Sequence, residues 1–140
     1  VHVICCRIQF SIIFRPILST ARWMNLDEQV KTAVFALEDI KARDIVVLDV
    51  SRLTSLFDRM IVASAESTRQ TKALSESVRE KFKAAGGKVY GVEGEQSGEW
   101  ILLDLGDVVV HIMQPAVRDY YNLEELWADE SRSQVRARVR

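Results

Sequence analysis

The feature that most restricts this chain is a pair of apolar runs, residues 100–104 (WILLD) and 107–113 (DVVVHIM), separated only by Leu105-Gly106. Two such runs joined by a short glycine-containing link predict an antiparallel hairpin. With Leu105-Gly106 as the turn, alternation of side chains divides the hairpin into two faces. Ile101, Leu103, Val108, Val110 and Ile112 form one face, entirely branched aliphatic and therefore core. On the other, Trp100 opposes His111, Leu102 opposes Val109 and Asp104 opposes Asp107, with Met113 extending the row.

A hairpin with an apolar face needs further strands and a covering layer, and the preceding residues supply both. Asn25 with Glu28 has the spacing of a capping box, and Leu26, Val30, Ala33, Val34, Leu37 and Ile40 follow at helical spacing, predicting an amphipathic helix over 26–42. Residues 45–50 and 60–63 read as two buried strands, and the short polar link between them favours antiparallel pairing. Ser67 and Gln70 suggest a second capping box, Leu74, Val78, Phe82 and Ala85 form a stripe, and Gly86-Gly87 stops the helix. A strand over 88–92 and a last helical turn capped by Asn122 and Glu125 complete the order α-β-β-α-β-β-β-α. The expectation is an α/β fold of mixed α+β type, with a single mixed sheet of about five strands and helices packed against it.

The 140 residues, 48% hydrophobic and 28% charged, suit one globular domain. The formal net charge of -1 conceals an uneven distribution. All 20 acidic residues lie between Asp27 and Glu130, where only 12 Lys and Arg accompany them, a net charge of −8. Such a body is unsuited to gripping a phosphate backbone over its whole surface and better suited to basic proteins or cations. Cys5 and Cys6 are adjacent, with no metal-ligand spacing around them, so neither a zinc site nor a disulfide framework is expected.

Composition changes abruptly at Met24, which divides the chain into a leader (1–23), a domain (24–130) and a basic solvated tail (131–140). Three readings of the leader stay open: translation begun upstream of a true start at Met24, an organellar transit peptide, or a membrane or secretory segment. Its apolar runs are too short to span a bilayer, so no membrane is expected as a partner. The cytoplasm is the expected compartment, or an organelle if the leader is a transit peptide.

The mixed hairpin face combines aromatic, aliphatic and ionisable groups, with Trp100 as the natural anchor of an interface. The rival is intramolecular cover by Tyr120, Tyr121, Leu126 and Trp127. His111 reads as a hydrogen-bonding residue before a catalytic base or metal ligand. Asp104 and Asp107 could form a carboxylate pair around a cation, be balanced by Arg118, or simply be solvated as acids at a hairpin end commonly are. Ser64, Ser67, Thr68 and Arg69 form a strand-to-helix junction whose amides could receive an anion, but with no glycine-rich phosphate loop helix capping is the preferred explanation.

Four stretches, DIVVLDV at 44–50, FDRMIVASAESTRQ at 57–70, GVEGEQSGEWILLDLGDVVVHIM at 91–113 and RDYYNLEELW at 118–127, together resemble the ribosomal silencing factor RsfS (Iojap-related) family. The resemblance spans almost the whole body and implies a nucleotidyltransferase-like fold without catalysis, no cofactor, and a possible homodimer. It further implies docking on the large ribosomal subunit through its protein numbered fourteen (L14-type). Such docking would block subunit joining and repress translation under nutrient limitation, with a related role in large-subunit assembly in mitochondria. Carried over by position, the docking residues are Trp100, Ile101, Leu102, Asp104, His111 and Met113, with Arg118, Tyr121 and Leu123 following. RNA contact through the basic tail would be auxiliary. The alternative is a small nucleotidyltransferase-like enzyme, against which the Ser64-Ala65-Glu66-Ser67 junction lacks the family's Gly-Ser motif and paired acids.

Overall fold

A computed structural model of the chain describes residues 24–127. The leader and the tail therefore lie outside the described residues. In chain order the elements are α1 (Leu26–Asp39), β1 (Arg43–Asp49), β2 (Arg59–Ser64), α2 (Thr68–Ala84), β3 (Gly91–Glu93), β4 (Trp100–Asp104), β5 (Val108–Met113), α3 (Pro115–Tyr121) and α4 (Leu123–Leu126).

Local chemistry sets the helix boundaries. The Asn25 side chain accepts from the Glu28 amide at 2.9 Å while the Glu28 carboxylate accepts from the Asn25 amide at 3.2 Å, so α1 begins with the expected reciprocal cap. At α2 only half of the expected box forms. Ser67 Oγ accepts from the Gln70 amide, but the Gln70 side chain instead accepts from the Glu66 amide and donates to the Ile40 and Lys41 carbonyls. Gln70 thereby ties the start of α2 to the end of α1. Gly86, at φ +91, takes the left-handed conformation that ends α2. Leu74, Val78 and Phe82 are buried as the stripe predicts, whereas Ala85 is the exposed capping residue.

The five strands lie in the order β1-β2-β5-β4-β3. β1 and β2 pair antiparallel, as their short link predicts, and β4 and β5 form the expected hairpin. The central β2 and β5 run parallel, which makes the sheet mixed. β3 is shorter than expected, pairing through Gly91, Val92 and Glu93 alone. It ends at Gly94, where φ is +86 and an added Cβ would lie 2.0 Å from the Trp100 carbonyl oxygen. No helix among the described residues is long and apolar enough to cross a membrane.

The hairpin register differs from expectation by two residues. Trp100 pairs with Met113, Leu102 with His111 and Asp104 with Val109, so the tight turn is Gly106-Asp107. Gly106 supplies the positive φ, +101, and the Leu105 amide donates to the Val108 carbonyl. Because the side-chain repeat is two, a shift of two leaves every residue on its predicted face. Ile101, Leu103, Val108, Val110 and Ile112 meet α1 and α2 through Ala33, Ala36, Leu37, Leu74, Val78 and Phe82. Alanines 33 and 36 let the helices approach closely enough for Ser77 Oγ to donate to the Ala36 carbonyl at 3.0 Å.

Candidate functional site

The opposite face of the sheet gathers Trp100, Leu102, Asp104, His111 and Met113, with Met60, Val62 and Ser64 from β2 beside them. Its residues are adjacent as the alternation predicts, but they are not offered to solvent. Trp100 is 8% exposed, Leu102 4%, Asp104 2%, His111 2% and Met113 0%. Ile101, assigned to the same docking group, points to the α1–α2 core and is fully buried there.

The chain's own C-terminal helices provide the cover. α3 was not foreseen as a separate helix; its signal was Pro115, which sits in the first turn after an extended Gln114, where its missing N–H costs nothing. The chain then turns at Asn122, in the left-handed region at φ 44, and α4 follows. Asn122 does not cap α4 through its own side chain, which instead donates to the Glu125 carboxylate. Leu123 is buried against the face and Val117, Tyr121 and Trp127 pack around it. Tyr121 stands 4.9 Å from the Trp100 ring, centroid to centroid, and Trp127 stands 5.8 Å from Phe57.

At the centre of the covered face the Trp100 indole N–H donates to His111 Nδ1 at 3.0 Å. Only an unprotonated Nδ1 can accept, so the imidazole is neutral with its proton on Nε2. Burial disfavours the charged form and pushes the His111 pKa down to about 3. Nε2 is buried with no hydrogen-bond partner among the described residues. His111 is therefore a structural hydrogen-bonding residue, held where it can neither titrate near neutral pH nor reach solvent.

Asp107 does not stand opposite Asp104, because the two-residue shift in register pairs Asp104 with Val109 and moves Asp107 into the turn. Asp104 Oδ1 accepts from the Gly106 amide at 2.9 Å, and Asp107 accepts from the Gln29 side chain at 3.2 Å. Arg118 reaches from α3 to β1, β2 and α4. Its Nη1 donates to the Ser64 hydroxyl at 2.7 Å and to the Asp44 carbonyl at 2.8 Å, while Nε and Nη2 pair with Glu124. The Asp44 carbonyl is available because Asp44, at φ 48, lies in an irregular stretch where β1 and β2 shift register. Local spacing marks neither Ser64 nor Glu124 as a partner of Arg118. That link, across 54 residues from β2 to α3, has no sequence signal.

Outside the cover, Tyr120 is 82% and Leu126 62% exposed, beside exposed Asp119 and Glu125. This surface combines aromatic and aliphatic groups with negative charge.

A family model described as "Ribosomal silencing factor during starvation" matches residues 24–140. The chain belongs to the RsfS family. Ribosomal silencing factor RsfS of Chromobacterium violaceum is 58% identical over 110 residues, spanning 79% of this chain and 90% of its own length. Mitochondrial assembly of ribosomal large subunit protein 1 of Mus musculus is 30% identical over 111 residues, spanning 74% of this chain and 49% of its own length. A crystal structure of a protein from Chromobacterium violaceum superposes with a TM-score of 0.73 at 60% identity, covering 74% of this chain and 87% of that one. The family's description is of silencing of the ribosome during starvation.

Proposed function

We propose that this RsfS-family chain represses translation without catalysis, by docking on the large ribosomal subunit through its protein numbered fourteen and blocking entry of the small subunit. The observation that carries the reading is the family membership across the body, which joins the chain to relatives named for ribosome silencing and large-subunit assembly. Charge supports it too, since a body at −8 repels rRNA phosphates and attracts a basic ribosomal protein. The docking region is the Trp100 face with its α3–α4 cover. Trp100, Leu102, Asp104, His111, Met113, Arg118, Tyr121 and Leu123 build it, and Tyr120 and Leu126 lie at its surface. The site of action is the ribosome-containing compartment, the cytoplasm in a bacterial cell.

The test is co-sedimentation of the purified chain with isolated large subunits, followed by addition of small subunits and separation of joined particles. Binding with fewer joined particles is expected. Binding without inhibition would remove the silencing step, and no binding would remove the partner. A photo-crosslinker in place of Tyr120 should attach to the protein numbered fourteen; attachment only to other proteins or to rRNA would refute that choice of partner.

A further inference from the structure

Three observations about the C-terminal helices belong together. First, the cover is thin: no residue of α3 is buried and Leu123 alone is buried in α4, while the strands beneath are buried throughout. Second, Arg118 draws α3, α4, β1 and β2 to one point, through Glu124, the Asp44 carbonyl and Ser64. Its side chain is only 12% exposed and that of Glu124 15%, so this ion pair is screened less than an ordinary surface pair. Third, among the described residues the buried His111 Nε2 proton meets no protein acceptor in the closed arrangement.

We propose that α3 and α4 form a latched cover over the Trp100 face, with Arg118 as the clasp. The hinge is the segment at Gln114, and opening exposes Trp100, Leu102, His111 and Met113 as the surface that receives the ribosomal protein. This inference rests on the docking function proposed above. Closed, the chain hides an aromatic and aliphatic patch that would otherwise invite non-specific association. Open, the patch gains a partner whose apolar groups replace Tyr121 and Leu123, and a carbonyl or carboxylate on that partner can accept the His111 Nε2 proton. The exposed acidic residues of the cover, Asp119 and Glu125, suit first encounter with a basic surface. The clasp then sets what fraction of molecules is competent to bind, and apparent affinity scales with that fraction.

The experiment loosens the clasp without altering any residue assigned to docking beyond it. Ser64→Ala removes one acceptor of Arg118 and Glu124→Gln removes the negative charge of its ion pair, while Arg118 itself is kept. Hydrogen exchange of the Trp100 indole N–H, followed by NMR, reports opening of the cover. The Ile61 amide, in the strand that faces the α1–α2 core, reports unfolding of the whole domain. In the double variant the indole should exchange on the order of tenfold faster with Ile61 unchanged, and large subunits should bind tighter by a similar factor. Arg118→Met should accelerate indole exchange at least as much. Equal acceleration at Trp100 and Ile61, or no acceleration at either, would overturn the latch. Faster indole exchange with unchanged binding, or with self-association in place of tighter binding, would overturn the exposed face as the docking surface. A wild-type chain that binds no large subunits would instead sink the proposed function, while indole exchange would still judge the latch.

Discussion

His111 links pH to stability in a way that can be worked out from its surroundings. Its imidazole is buried, accepts from Trp100, and has its pKa pushed down to about 3, whereas in the unfolded chain it titrates at the ordinary 6.5. Below pH 6.5 the unfolded state therefore binds a proton that the native state refuses, and stability falls as pH falls until the native pKa is reached. Each pH unit in that window removes about 1.4 kcal/mol, so lowering pH from about 7.5 to about 4.5 costs about 2.5 kcal/mol at this residue. The upper part of the window is convenient because Asp49, held below the usual carboxylate range first by its hydrogen bond from Ser51, stays ionised there. The comparison is with His111→Gln, which cannot titrate and still offers the Trp100 indole an acceptor. Urea unfolding near neutral pH should show the wild type more stable by about 1 to 2 kcal/mol, because the amide aligns its acceptor less well than the imidazole and buries a second N–H without a partner. At about pH 4.5 that advantage should vanish or reverse, since other carboxylates titrate alike in both proteins and cancel. If the difference between the proteins is the same at both pH values within about 0.5 kcal/mol, His111 is not buried neutral and the argument fails.

Three other substitutions probe separate parts of the structure. Trp100→Ala should lower unfolding free energy by about 3 to 5 kcal/mol, because it opens a cavity between β4 and Tyr121; a loss under about 1 kcal/mol would mean that the face is solvated. Gly94→Ala forces a Cβ against the Trp100 carbonyl at a positive φ, and a loss above about 2 kcal/mol in the same assay is expected, an unchanged midpoint being the contrary result. Ser67→Ala removes the acceptor for the Gln70 amide at the start of α2 and should cost about 1 kcal/mol, read as a lower melting temperature by circular dichroism.

Much of the architecture was written in local pattern. Period-two alternation separated Ile101, Leu103, Val110 and Ile112 from Trp100, Leu102 and His111, and the structure keeps that division even though the turn lies one residue later than expected. The Asn25 cap, the Leu74–Val78–Phe82 stripe and the Gly86 stop depend on residues within a few positions of one another, and sequence spacing reports such contacts directly. The fold class and the family followed from the same local motifs.

What the sequence could not decide is which surface covers which. The parallel pairing of β2 with β5 spans about fifty positions with no turn to announce it, and so does the reach of Arg118 to Ser64. Alternation states that Trp100, Leu102 and His111 share a face; it does not state whether solvent, a partner or Tyr121 lies above them. The tertiary structure places α3 and α4 there, because an indole and an aliphatic row with one satisfied imidazole nitrogen bury more favourably under Leu123 and Tyr121 than in water. The alternating period of the hairpin thus determined the two faces, and the packing of residues far away in sequence decided that both are interior.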